Sequence, residues 1–232
     1  MQWATGGARL PVNVDELTDF VAERLAAVGD PAKAGPMAAY LKTDMPFYGA
    51  QKTARVPIVR AVVRDFPPGR RAEYRDAVLA LWSQPHREER YVAIEYATAF
   101  PRYITLSSMP LYRKLIVDGA WWDLVDTVAI HLVGHVLAHQ RAATTATVTG
   151  WIDDPDLWLR RTAIICQIGR KEATDTELLF DACSRRMDEQ EFFIRKAIGW
   201  ALRDYAKTDP EGVITFVREH HDRLSGLSFR EA

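Results

Sequence analysis

The sequence predicts an all-α chain of stacked helix pairs, and three observations carry that prediction. The dipeptide Ala-Ile recurs at Ala93-Ile94, Ala129-Ile130, Ala163-Ile164 and Ala197-Ile198, with successive copies 36, 34 and 34 residues apart. Each copy lies in an apolar segment of helical period, and strand-type alternation is nearly absent between them. Helix-start signals, a cap residue directly before a proline, stand at Asp30-Pro31, Asp154-Pro155 and Asp209-Pro210. A repeat of this length without strands points to an α-solenoid of the HEAT or armadillo kind, a single domain over residues 1–232.

The elements follow in order from caps and breakers. Asn13 or Asp15 caps a first helix ending near Gly29, and Asp30-Pro31 opens a second that runs to about Lys42. Phe47-Tyr48-Gly49 reads as a loop, a third helix runs near 53 to 66, and Pro67-Pro68-Gly69 stops it. Further helices are expected near 71–83, 86–99, 103–118, 121–139, 142–150, 155–169, 174–186, 190–207 and 210–221. The closing SFREA reads as a last helix cut off at its start.

Bulk properties exclude several classes. The chain of 232 residues is long enough for a sizeable core. No apolar run reaches the roughly 18 to 20 residues of a membrane helix. The opening MQWATGGARLP lacks the apolar stretch of a secretory signal. Cys166 and Cys183 sit in apolar helical runs without CxxC spacing, as buried thiols of a reduced, cytoplasmic protein. A monomer is expected.

The net charge of -1 hides an uneven distribution, because residues 51 to 114 hold 12 Lys or Arg against 6 Asp or Glu. Arg outnumbers Lys by 23 to 7 over the chain, and Arg suits bidentate phosphate contacts and stacking. A solenoid that gathers such charges on its concave side binds a polyanion, whereas a solvated helix surface is the plainer account of any single run.

Stacking also brings equivalent positions of neighbouring repeats side by side. Asp126 lies three residues before one Ala-Ile copy, and Arg161 and Arg195 lie two before the next copies, so the three are expected on adjacent rungs. Four groups then stand out as candidates for chemistry.

In Trp121-Trp122-Asp123-Leu124-Val125-Asp126, Trp122 and Asp126 are spaced i, i+4 and share a helix face, while Val125, Val128 and Leu132 supply the packing. The alternative makes Trp122 a core aromatic and Asp126 a surface or capping carboxylate. Trp158-Leu159-Arg160-Arg161 opens the following repeat, where paired arginines suit either a phosphate or bridges to Asp153, Asp154 or Asp156.

Lys196, Trp200, Arg203 and Lys207 form one helical stripe opposite Ile198, Leu202 and Tyr205. Three cations around a Trp favour nucleic acid, against a snorkelling amphipathic face. His131, His135 and His139 have i, i+4, i+8 spacing, yet no HExxH or further ligand type accompanies them, so no metal is assigned. On ideal helical geometry His131 stands about 140° around the helix from Asp126.

WWDLVD, WLRRTAI and FFIRKAIGWALRDYAKTDP together resemble the AlkD-type DNA glycosylases, the HEAT-like DNA alkylation repair enzymes. MAAYLKTDMPFYGAQKTAR and LWSQPHREERYVAIEY resemble the same family's N-terminal signature, so the resemblance runs from about Lys33 to the C-terminus. It implies that Trp122, Asp126 and Trp200 line a catalytic cleft and that Arg161 and Tyr40 meet DNA.

The implied activity is excision of N3- and N7-alkylated purines from double-stranded DNA, with the lesion left stacked and with no metal or other cofactor. Lys196, Arg203 and Lys207 join Arg161 and Tyr40 as expected DNA contacts. The short tail departs from the family pattern, which puts C-terminal phosphate contacts in question. A glycosylase for bulky adducts, serving self-resistance, and a non-catalytic DNA- or protein-binding scaffold stay open as alternatives.

Overall fold

The structure is a computed structural model and describes residues 11–232. Every regular element among the described residues is helical. The chain divides into two compact units, the first ending at Tyr103 and the second running from Ile104 to Ala232.

The first unit comprises α1 (Val14–Val28), α2 (Pro31–Leu41), α3 (Lys52–Asp65), α4 (Arg71–Trp82), α5 (Arg87–Thr98) and a 3₁₀ turn, Pro101–Tyr103. The side chain of Asn13 accepts from Asp15 N at 3.1 Å, and that of Asp30 accepts from Ala32 N at 3.0 Å with Pro31 behind it. These bonds satisfy amides that a helix start leaves open. Leu17, Val21 and Leu25, one apolar stripe of α1, are fully buried.

The Phe47-Tyr48-Gly49 loop is tied down from α5. Buried Glu88 accepts from the amides of Tyr48 (3.2 Å), Gly49 (2.9 Å) and Ala50 (2.9 Å), and Tyr48 stacks on His86 with ring centroids 3.8 Å apart. A carboxylate without solvent survives only with such a set of donors. Gly49 has φ 82°, and a β-carbon there would run into the Asp30 carbonyl oxygen, so glycine is required on both counts.

The second unit holds α6 (Met109–Gly119), α7 (Trp122–Thr127), a π-helical segment (Val128–Val133), α8 (Gly134–His139), α9 (Arg141–Ile152), α10 (Leu157–Ile165), α11 (Thr176–Arg186), α12 (Phe192–Tyr205), α13 (Pro210–Glu219) and α14 (Gly226–Glu231). Helices adjacent in sequence or one apart pack on each other, α9 on α10, α10 on α12 and α12 on α14, which is the stacking a repeat requires. Ile94, Ile164 and Ile198 of the Ala-Ile copies are exposed by 1% or less, whereas Ile130 is only half-buried.

Several expected boundaries shift for local reasons. The helix expected from residue 155 starts at Leu157 because Asp156, not Asp154, is the cap, accepting from Trp158 N at 2.9 Å and Leu159 N at 3.1 Å. The helix expected over 103–118 begins as a 3₁₀ turn, Leu106–Ser108, and becomes α6 at Met109. The single helix expected over 121–139 is interrupted by the π segment, so the ideal-helix angle between Asp126 and His131 does not hold. SFREA is not the opening of a helix but the end of one: α14 starts two residues earlier, at Gly226, with Ser225 capping it by accepting from Ser228 N at 3.0 Å, and α14 lies along α12.

Candidate active site

Asp126 is at the end of α7, one turn after Trp122, and its helix is anchored by Leu124 and Val125, both fully buried. Opposite it, α10 buries Leu159, Thr162, Ala163 and Ile165, and that phase turns Arg161 inward. Arg161 Nε donates to Asp126 Oδ1 and Arg161 Nη2 to Asp126 Oδ2, each at 2.8 Å. This is the parallel two-bond fork in which guanidinium and carboxylate hold each other's plane. The side chains retain 5% exposure for Arg161 and 15% for Asp126.

The fork reaches a third helix. Arg161 Nη1 donates to the carbonyl of Phe193 at 2.6 Å, and its guanidinium lies 5.8 Å from the Phe193 ring centre. Phe193 packs on Trp158 at 4.9 Å and on Trp121 at 5.3 Å between ring centroids. Arg161 is thereby backed by aromatic surface and joins α7, α10 and α12 at one point. Trp200 lies seven residues beyond Phe193 on the same face of α12, and both Trp122 and Trp200 keep part of their surface open.

Burial raises the pKa of Asp126 above the ordinary carboxylate range, and nearby Asp123 adds to it, while the Arg161 hydrogen bonds and charge pull it back down. The carboxylate is therefore more basic than a free one yet fixed in plane. Arg161 occupies one lone pair on each oxygen, and the others are left for a ligand or water.

The expected phosphate role of Arg161 does not match this placement: it is buried with three donors committed inside the protein. Its neighbour Arg160 takes neither expected side-chain partner set, pairing with Glu189 at 2.6 Å and with the carbonyls of Asp154 and Pro155. Asp153 is instead bound by Arg186 at 2.8 Å. Arg195, expected on the next rung, donates to the Glu189 carbonyl at 3.1 Å.

The α12 stripe is an ion-pair surface and not a row of free cations. Glu231 of α14 binds Lys196 Nζ at 2.6 Å and Arg203 Nη1 at 2.7 Å, and Lys207 pairs with Asp204 at 2.9 Å. Gly199 allows this, because a β-carbon there would strike Glu231. Lys196 first, then Arg203, holds the Glu231 carboxyl down to about 2. Lys207 remains 72% exposed, and Tyr40 of the first unit 74%.

His135 and His139 stack at 4.0 Å, and no group of three or more His, Cys, Asp or Glu suited to a metal occurs among the described residues. Phe193 and Glu231 escaped the sequence reading. The Phe193 carbonyl that accepts from Arg161 is backbone and carries no residue-type signal, and Glu231, though 35 residues beyond Lys196, lies past the last Ala-Ile copy that marked the other rungs.

Comparison with known proteins agrees with this fold. A family model described as DNA alkylation repair enzyme matches residues 21–232. No curated protein matches the chain. A solved structure, described as a predicted DNA alkylation repair enzyme from Enterococcus faecalis, superposes with a TM-score of 0.79 at 29% identity, covering 88% of this chain and 94% of that one. With the family model spanning nearly the whole sequence, the chain belongs to the DNA alkylation repair enzyme family.

Proposed function

We propose that this protein is a DNA glycosylase that hydrolyses the N-glycosidic bond of cationic N3- or N7-alkylated purines in duplex DNA, acting as a monomer and leaving the base stacked. The observation that carries the reading is the Asp126 carboxylate, half-buried and locked by the two-bond Arg161 fork, with Trp122 one turn away on α7. A surface or capping carboxylate has no need of a buried arginine dedicated to its plane.

The chemistry fits one fixed carboxylate. An alkylated purine already carries positive charge, so it leaves C1′ with the bonding electron pair as a neutral base and needs little acid assistance. Positive charge then grows on the deoxyribose, and a preorganised carboxylate stabilises it without reorganising solvent. Water adds to C1′ and loses a proton, for which the raised basicity of Asp126 is suited. Faces of Trp122 and Trp200 would add about 0.5 to 2 kcal/mol each toward a cation.

Within this reading Arg161 positions Asp126, and phosphate contacts fall to Tyr40, Lys207 and, after exchange of Glu231 for phosphate, Lys196 and Arg203. Single-turnover release of free base from duplexes carrying N7-methylguanine, N3-methyladenine or a bulky N7 adduct tests the proposal. Asp126→Asn should lower the rate about 100- to 1000-fold while binding holds steady. Equal rates for both proteins remove Asp126 from the mechanism. Failure of the wild type on every adduct leaves a DNA-binding scaffold, and release of the bulky base alone redirects the substrate.

A further inference from the structure

The π segment that begins two residues after Asp126 has a hydrogen-bonding consequence of its own. In a continuous α-helix the Gly134 amide would donate to the Ile130 carbonyl, four residues back. Here Gly134 N donates to Ala129 O, five residues back, and the Ile130 carbonyl loses that donor. Arg170, which follows α10 in the next repeat, supplies a replacement: its Nη2 donates to Ile130 O at 3.0 Å.

The same turn is held from a second side. A β-carbon on Gly134 would run into the Cys166 carbonyl oxygen and would lie 3.1 Å from Arg170 Nη2. Gly134 is fully packed, and α8 behind it is fixed by buried Val136 and Leu137.

The wide turn accommodates one extra residue between α7 and α8. Since α8 is fixed, removing that residue's worth of turn would rotate α7 by about 100° and shift it by about 1.5 Å along the axis. Asp126 would then leave a fork whose two bonds are both 2.8 Å. Small displacements of a catalytic group cost large factors in rate.

We propose that Arg170 is a positioning residue for Asp126: by capping the Ile130 carbonyl it holds the π turn that points the carboxylate at Arg161. This rests on Asp126 being the catalytic carboxylate, but the geometric part stands apart from any activity. Arg170 is half-buried, and that partial desolvation, which lowers its pKa, agrees with a guanidinium turned toward the Ile130 carbonyl.

The test compares wild type with Arg170→Met, which keeps the apolar stem and removes the donor, and Arg170→Lys, which keeps a charge and one donor. Three quantities are read: the titration midpoint of the Asp126 carboxyl by carbon-13 NMR, hydrogen exchange of the Gly134 amide, and single-turnover base release beside duplex affinity. For Arg170→Met the midpoint should rise as Arg161 is lost, Gly134 exchange should quicken, and base release should fall about tenfold or more with affinity unchanged. Arg170→Lys should lie between the two proteins, and it carries the comparison if the Met variant does not fold.

An unchanged Asp126 midpoint and rate, with Gly134 exchange raised, would overturn the proposal. So would a loss confined to affinity and its salt dependence, which would mark Arg170 as a phosphate contact. If the midpoint moves while no protein releases base, the positioning role is upheld and the glycosylase reading falls.

Discussion

Replacing Arg161 separates a positioning role from a phosphate-binding one more sharply than any other single change. Arg161→Met keeps most of the side-chain volume but removes three hydrogen bonds, two to Asp126 at 2.8 Å and one to the Phe193 carbonyl at 2.6 Å. Asp126 would then be a carboxylate of 15% exposure without its cation. Breaking a buried pair from one side costs about 3 to 5 kcal/mol, and the remaining exposure of Asp126 places the expectation near 3 kcal/mol. Against a total stability of about 5 to 15 kcal/mol that is a large fraction, readable as a lower urea midpoint with unchanged slope.

The pH dependence gives a second signature. Burial already sets the folded pKa of Asp126 above its unfolded value, and Arg161 opposes that rise. In such a case the native state holds the proton more tightly, so stability falls as pH rises through the window between the two values. Without Arg161 the window widens upward and this destabilisation grows toward neutral pH. On the proposed mechanism base release needs ionised Asp126, so its acid limb should lie at higher pH than for a free aspartate in the wild type and move further up in Arg161→Met. A variant of wild-type stability and unmoved acid limb, impaired only in the salt dependence of DNA binding, would refute the argument and restore Arg161 as a phosphate ligand.

Glu231→Gln should free Lys196 and Arg203 for phosphate; the slope of log K against log salt should steepen by about 1.8, as two added contacts require, and an unchanged slope would show that these cations do not meet DNA. Cys166 and Cys183 are fully buried with thiols pushed up to about 12, so native protein at pH 8 should resist thiol reagents and release two equivalents only on denaturation; rapid native labelling would mean that this core opens.

The helices, their caps and the repeat were legible in the amino-acid sequence because each depends on residues within a turn or two: Asp30 before Pro31, Asp209 before Pro210, Ala-Ile at a steady interval. The same period placed Asp126 and Arg161 on neighbouring rungs, 35 residues apart, and the fork between them bears that juxtaposition out. What Arg161 would face there depended on which side of α10 the core claims, and packing turned it to the carboxylate and away from solvent. Likewise a stripe of cations on α12 reads the same whether it meets phosphate or a carboxylate, and only the docking of α14 against Gly199 decided for Glu231. The π turn was equally hidden, since an extra residue in a helix leaves the local composition unchanged. It is specified from outside the helix, by the Cys166 carbonyl that Gly134 lets approach and by the Arg170 guanidinium on Ile130.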